Sequence, residues 1–229
     1  SDILRLARDI WPPFTNVKGE KAVASDLVNL ALRRVGVTAI NDIRTFEDLL
    51  DDIRDHKYDG SSALWKSEDR EEDLIFSAPY LHNQLILVGK KNTDVSAKNL
   101  NELTGKQLGL VGSYSYGDSI RKVEDLQIVE GQSDQENLQR LIDGEIDYML
   151  IDALLVEYLM EYQAEEVKKY LEVGQRPLIS KSLHFAIRKE VTNSECIITR
   201  FIKEIIRMMM DGTFIKVLEL NYIRADVDG

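Results

Sequence analysis

Arg70 is the arginine of an acidic turn, Lys66-Ser67-Glu68-Asp69-Arg70-Glu71-Glu72-Asp73, set between a small-residue strand and the closing segment Phe76-Ser77-Ala78-Pro79-Tyr80. A planar guanidinium can grip a carboxylate by two parallel hydrogen bonds, so the chemistry on offer is anion capture. The competing reading is a surface arginine paired with Glu68, Asp69 or Glu71, which would contribute little. Ser113, after Gly112, opens a predicted helix in Val111-Gly112-Ser113-Tyr114-Ser115-Tyr116-Gly117-Asp118. Exposed N–H groups at a helix start favour an anion, although Gly-Ser is also an ordinary turn. Asp152 ends a buried strand just before a helix, where an N-cap is the simplest use of a carboxylate. Trp11 and Trp65, the chain's 2 tryptophans, both fall in loops at predicted strand ends. Core packing is the default use of an indole; a place at strand ends points instead to a ligand-facing aromatic wall.

The elements that must hold these residues read as α/β. Ile3–Ala7 alternates as a strand, and Trp11–Phe14 is a loop stiffened by two prolines. A helix over Ala24–Val35, a strand over Val37–Ile43, a helix opened by a capping box at Thr45–Asp48 and a strand over Asp59–Leu64 follow. This β-α-β-α-β order implies a mostly parallel sheet covered by helices. A second block begins after Gln84–Val88, with a helical turn at Leu100–Leu103 and strands at Gln107–Val111, Leu126–Val129 and Ile146–Ile151. Its helices run from the box Ser133–Glu136 to Ile142 and over Ala153–Met160. A strand over Leu183–Arg188 returns the chain, Thr192–Glu195 caps a helix to about Met210, Asp211-Gly212 ends it, and a last helix covers Phe214–Leu220. The expected organisation is two lobes, residues 1–84 with 188–229 and residues 89–183, joined by hinge strands at about 84–89 and 183–188. Open α/β sheets bind ligands beyond the carboxyl ends of their strands, so two facing lobes would share one cleft.

The stretch Lys57-Tyr58-Asp59-Gly60-Ser61-Ser62-Ala63 through Tyr80 resembles the extracellular solute-binding proteins of family 3, the bilobed receptors of polar amino acid uptake systems. Their pattern is K-Y-D, a small-residue strand, T-P-E-R, then D-F-S-x-P-Y; Ser67-Glu68-Asp69-Arg70 stands for the T-P-E-R. The resemblance implies a periplasmic-binding-protein-like fold of type II with two hinge strands, and a binding protein without catalysis or cofactor. It implies that Arg70 takes the ligand's α-carboxylate with help from Ser62, Ala63 and Ser113. Asp152, in Gly144-Glu145-Ile146-Asp147-Tyr148-Met149-Leu150-Ile151-Asp152, would hold the α-ammonium. Trp11 matches the aromatic that packs on the ligand side chain; Phe14 follows, and Phe46 stands where relatives place another aromatic. Trp65 departs from the pattern, because a small serine or threonine is usual there and an indole would change or shrink the pocket. Only Asp26-Leu27 survives of the usual G-F-D-x-D-L.

Composition narrows the partners. The net charge of −11, from 29 basic and 40 acidic side chains, argues against nucleic acid, which needs clustered cations. No apolar run approaches the roughly 20 residues of a membrane span, and the export signal the family implies would be removed from a mature chain. The single cysteine, Cys196, excludes an internal disulfide and is expected inward on its helix. His56, His82 and His184 are scattered, without metal spacing, and no nucleophile elbow or phosphate-cradling loop is present. The expected partners are an amino acid-like ligand and the membrane permease of an ABC importer, with the receptor a monomer outside the cytoplasm. The alternative is the sensing domain of a membrane histidine kinase or diguanylate cyclase. A third reading is a dehydratase of the cyclohexadienyl type, for which Glu157 is the acid to consider.

Overall fold

The computed structural model describes residues 2–162 and 166–219. They divide into two compact units, Ser1–Leu81 with Ser182–Gly229, and His82–Lys181.

In the first unit β1 (Asp2–Arg8), α1 (Val23–Arg34), β2 (Val37–Ile43), α2 (Phe46–Arg54), β3 (Gly60–Trp65), α3 (Glu68–Glu71) and β4 (Leu74–Phe76) follow in order. β1 pairs in parallel with both β2 and β3, which leaves β2 at the end of the sheet. Alternation sets the faces: Leu4 and Leu6 are buried while Ile3 and Arg5 are exposed. The other face is covered by α2, whose Leu49 and Ile53 join Ala7, Tyr58, Leu64, Leu74 and Ala186 in one core. Thr45 caps α2 by accepting the N–H of Asp48 at 3.2 Å. α1 has no side-chain cap; the preceding loop serves instead, with the carbonyls of Pro13 and Phe14 accepting from Val23 and Ala24.

The second unit contains β5 (Leu81–Lys90), β6 (Gln107–Val111), β7 (Gln127–Gly131), α4 (Asp134–Ile142), β8 (Tyr148–Asp152), α5 (Ala153–Tyr162), α6 (Glu166–Tyr170) and the start of β9 (Leu171–Arg188). Its sheet runs β9-β5-β8-β6-β7, with β6 parallel to β7 and β8, and β5 antiparallel to β8. A 3₁₀ turn occupies Leu100–Leu103, as the spacing predicts. Ser133 caps α4 through the N–H of Glu136 at 3.1 Å.

The last residues of β9 return to the first unit and pair antiparallel with β3 and β4. They are followed by α7 (Ser194–Met210) and α8 (Thr213–Val217), both packed against α1. Several expectations are corrected here. β9 is an 18-residue strand where only Leu183–Arg188 is predicted. The N-cap of α7 is Asn193 in the left-handed region, φ 61°, with no side-chain bond, so Thr192 does not open a box. Cys196 is exposed, not inward. The buried stripe is Ile197, Ile198, Phe201, Glu204, Ile205 and Met208, whereas Cys196 shares its face with Arg200, Lys203 and Arg207. Leu220, predicted as the end of the last helix, lies outside the described residues.

Candidate functional site

β3 is where the first unit's candidate residues begin. Between Ser61 and Leu64 its register against β9 slips: Ser61 lies opposite Ala186, and Leu64 opposite His184. One extra residue on β3 is a bulge, which takes Ser62 and Ala63 out of the regular ladder. The strand can come this close because residue 60 is glycine; a Cβ there would collide with the carbonyl of Ala186. Ser62 is fully buried, its carbonyl accepts the Tyr80 hydroxyl at 2.6 Å, and its own hydroxyl has no hydrogen-bond partner among the described residues. Burial pushes the Tyr80 hydroxyl well above the ordinary tyrosine range.

Arg70 sits on the one-turn helix α3, not in an open loop. Ser67 caps that turn by accepting the N–H of Arg70 at 3.2 Å. The surface-pair reading does not hold: Arg70 is only 6% exposed, while Asp69 pairs with Arg54 at 3.1 Å and Glu71 with Lys66 at 3.0 Å. Its Nη1 donates to the Trp65 carbonyl at 2.6 Å, and its guanidinium lies 5.6 Å from the centre of the Phe46 ring. Loss of solvent, aided by the nearby charge of Arg54, pulls its pKa down to about 10. It is still a cation at neutral pH.

The aromatic residues form one cluster. Trp11 lies 4.6 Å from Phe14 and meets Trp65 edge-on at 6.1 Å between ring centroids. All three are buried, and Trp65 is the last residue of β3 where a loop is predicted. Asp9, just before this cluster, is missing from the sequence expectations. It accepts a 3.3 Å bond from Thr15, and desolvation raises its carboxyl to about 6. Its signal in the sequence is only an acid at the end of a strand, two residues ahead of Trp11.

In the second unit Asp152 ends β8 and is 3% exposed. Its Oδ1 accepts the N–H groups of Leu154 at 2.8 Å and Leu155 at 3.2 Å, which is the N-cap use. Its Oδ2 accepts from Asn83 Nδ2 at 3.0 Å, a partner that nothing in the spacing announces. Burial nevertheless dominates these bonds and raises the carboxyl to about 6. Ser113 does not open a helix. It lies in a turn closed by Tyr114 N–H on the Val111 carbonyl at 3.1 Å, and the next helical turn, 3₁₀, starts at Asp118. Its anion-binding argument from a helix start therefore fails. Glu157 is exposed on α5.

The structure thus groups Trp11, Phe14, Ser62, Ala63, Trp65 and Arg70 in one unit and places Ser113 and Asp152 in the other. Two α/β units, one with Arg70 buried on the helical turn after β3 and the other with Asp152 buried at the end of β8, define a two-lobed ligand-binding protein. The chain belongs to the bacterial extracellular solute-binding proteins, family 3, whose model matches residues 5–220. It is 20% identical over 212 residues to ABC transporter arginine-binding protein 1 of Escherichia coli, covering 90% of this chain and 85% of that protein. Over 155 residues it is 22% identical to the virulence sensor protein BvgS of Bordetella pertussis, covering 66% of this chain but 12% of the sensor. In structure it is similar to an ancestral arginine-binding protein bound to arginine, with a TM-score of 0.78 at 21% identity, 95% of this chain and 96% of the other.

Proposed function

We propose that this extracytoplasmic protein captures an amino acid or a related small carboxylate and delivers it to the permease of an ABC importer, acting as a monomer and catalysing no reaction. The observation that carries the reading is Arg70: a charged guanidinium buried on α3, the turn that follows β3, steadied by the Trp65 carbonyl and the Phe46 ring. In this reading Arg70 takes the carboxylate with Ser62, Ala63 and Ser113, and Asp152 takes the ammonium. Trp11, Phe14 and Trp65 contact the rest of the ligand, and the chain segments near residues 84–89 and 183–188 act as the hinge. An arginine-binding relative and an acidic Asp9 beside the aromatic cluster favour a cationic side chain.

Calorimetry with L-arginine, L-glutamine and L-glutamate tests the proposal. Arg70→Ala should weaken binding of the tightest of them by about 2–5 kcal/mol, the usual loss for truncating one partner of a buried charge pair. Unchanged affinity would return Arg70 to a purely structural role. A second reading, a sensing domain, is favoured by the match to BvgS. It gains the lead if the natural gene continues into a membrane-spanning helix and a signalling domain.

A further inference from the structure

A second concavity lies within the first unit and shares no residue with the candidate site. It has a volume of about 620 Å3, within the range of small-molecule pockets, and is bounded by the start of α1, the ends of β1 and β2, and the 16–20 loop. Arg8 and Asn41 project from the strands toward Ser25, Asp26 and Asn29 of α1, and Asn41 Nδ2 donates to Asn29 Oδ1 at 3.0 Å.

The charges here are incompletely matched. Arg8 spends its Nε on the Asn16 carbonyl at 2.9 Å, and among the described residues its two terminal nitrogens have no hydrogen-bond partner. Asp26 uses Oδ2 for a 3.4 Å bond from the Ala22 N–H, leaving Oδ1 without one among the described residues. Arg8 and Asp26 feel each other's charge, Arg8 also that of Asp42 in the same wall and Asp26 also that of Lys21, and among the described residues no ion pair within 4 Å joins Arg8 to Asp26. Both are half-buried, and desolvation is the largest influence on each, lowering Arg8 and raising Asp26. Two further wall atoms, Ser25 Oγ and Asn41 Oδ1, are buried without a hydrogen-bond partner among the described residues.

We propose that this concavity is a second site for a free amino acid or a similarly small zwitterion, whose carboxylate docks on the open fork of Arg8 and whose ammonium docks on Asp26 Oδ1. A zwitterion bridges a cation and an anion that stand too far apart to satisfy each other. An anion or an amine alone would satisfy one and leave the other half-desolvated. Asn41 and Asn29 then face the ligand's side chain. Capture at Arg70 is not required for this site to exist.

The test is a titration of 15N-labelled Arg70→Ala protein with L-arginine and with L-alanine, followed by amide shifts. Saturable shifts at Ser25, Asp26, Asn29 and Asn41 are expected. They should weaken about tenfold or more in Arg70→Ala/Arg8→Met and in Arg70→Ala/Asp26→Asn, the second variant guarding against misfolding of the first. Acetate and methylamine, each alone at the same concentrations, should give no saturation. Absence of saturable shifts in this region, survival of the shifts in both double variants, or equal binding of acetate alone would overturn the proposal. Loss of binding at Arg70 with retention of these shifts would separate this site from the one proposed above.

Discussion

Burial moves the Arg70 and Asp152 pKa values in directions that matter differently at working pH. Arg70, lowered to about 10, stays charged, whereas Asp152, raised from 3.8 to about 6, titrates close to neutrality. A raised carboxyl stabilises the fold in its neutral form. That contribution is complete below about pH 4 and is lost as pH rises through about 6, to the extent of about 3 kcal/mol. Asp9 has a shift of the same sign and size. Urea unfolding from pH 4 to 7 should therefore show the ligand-free protein weakening with pH. Asp152→Asn should remove about half of that slope, and Asp9→Asn with Asp152→Asn most of the rest. Ligand binding should run the other way, strengthening through pH 6 as the carboxylate ionises to meet an ammonium, and Asp152→Asn should abolish the rise for L-glutamine, whose side chain brings no charge for Asp9 to meet. At Tyr80, loss of the buried hydroxyl in Tyr80→Phe leaves the Ser62 carbonyl without its bond and should destabilise the protein by about 1–3 kcal/mol, read from the same denaturation midpoints.

At the scale of elements, α3 is too short to persist on its own, so its cap decides whether Arg70 is held in place. Ser67→Ala removes the acceptor for the Arg70 N–H and should lower stability by about 1 kcal/mol. Affinity should fall with it, and calorimetry beside denaturation separates the two effects. The strands and helices around this turn are legible in the sequence because their burial follows simple periods: Leu4 and Leu6 in β1, Leu49 and Ile53 in α2. The Thr45 and Ser133 caps are legible for the same reason, a hydroxyl three residues ahead of an N–H that needs it. β9 is not legible, because Gly174 and Pro177 read as breakers. In the second unit that part of β9 is the end strand of the sheet, the place where proline is tolerated. The β3 bulge and the Asn83 bond to Asp152 escape as well, since both depend on partners far away in the chain. Arg70 and Asp152 are legible as residue types. The cap that Asp152 serves and the carbonyl that Arg70 holds are tertiary facts.

For the molecule as a whole, a ligand at a hundred times its Kd adds about 2.7 kcal/mol to the folded state. In a chain of this size that is a rise of roughly 5–10 °C in melting temperature. A screen of amino acids, small carboxylates and polyamines should give this rise with at least one zwitterion; silence from every zwitterion and a response to another class would overturn the amino acid reading. The net charge of −11 adds a long-range field that draws cations and opposes anions. An association rate measured for L-arginine should therefore fall as salt is raised, while that for L-glutamate should rise. The sole thiol adds a practical consequence. Cys196 stands in solvent on the polar side of α7, and the sequence has no second cysteine to compete with it. A dye, a spin label or a surface tether can therefore be fixed at one defined point of the native chain, with no codon changed.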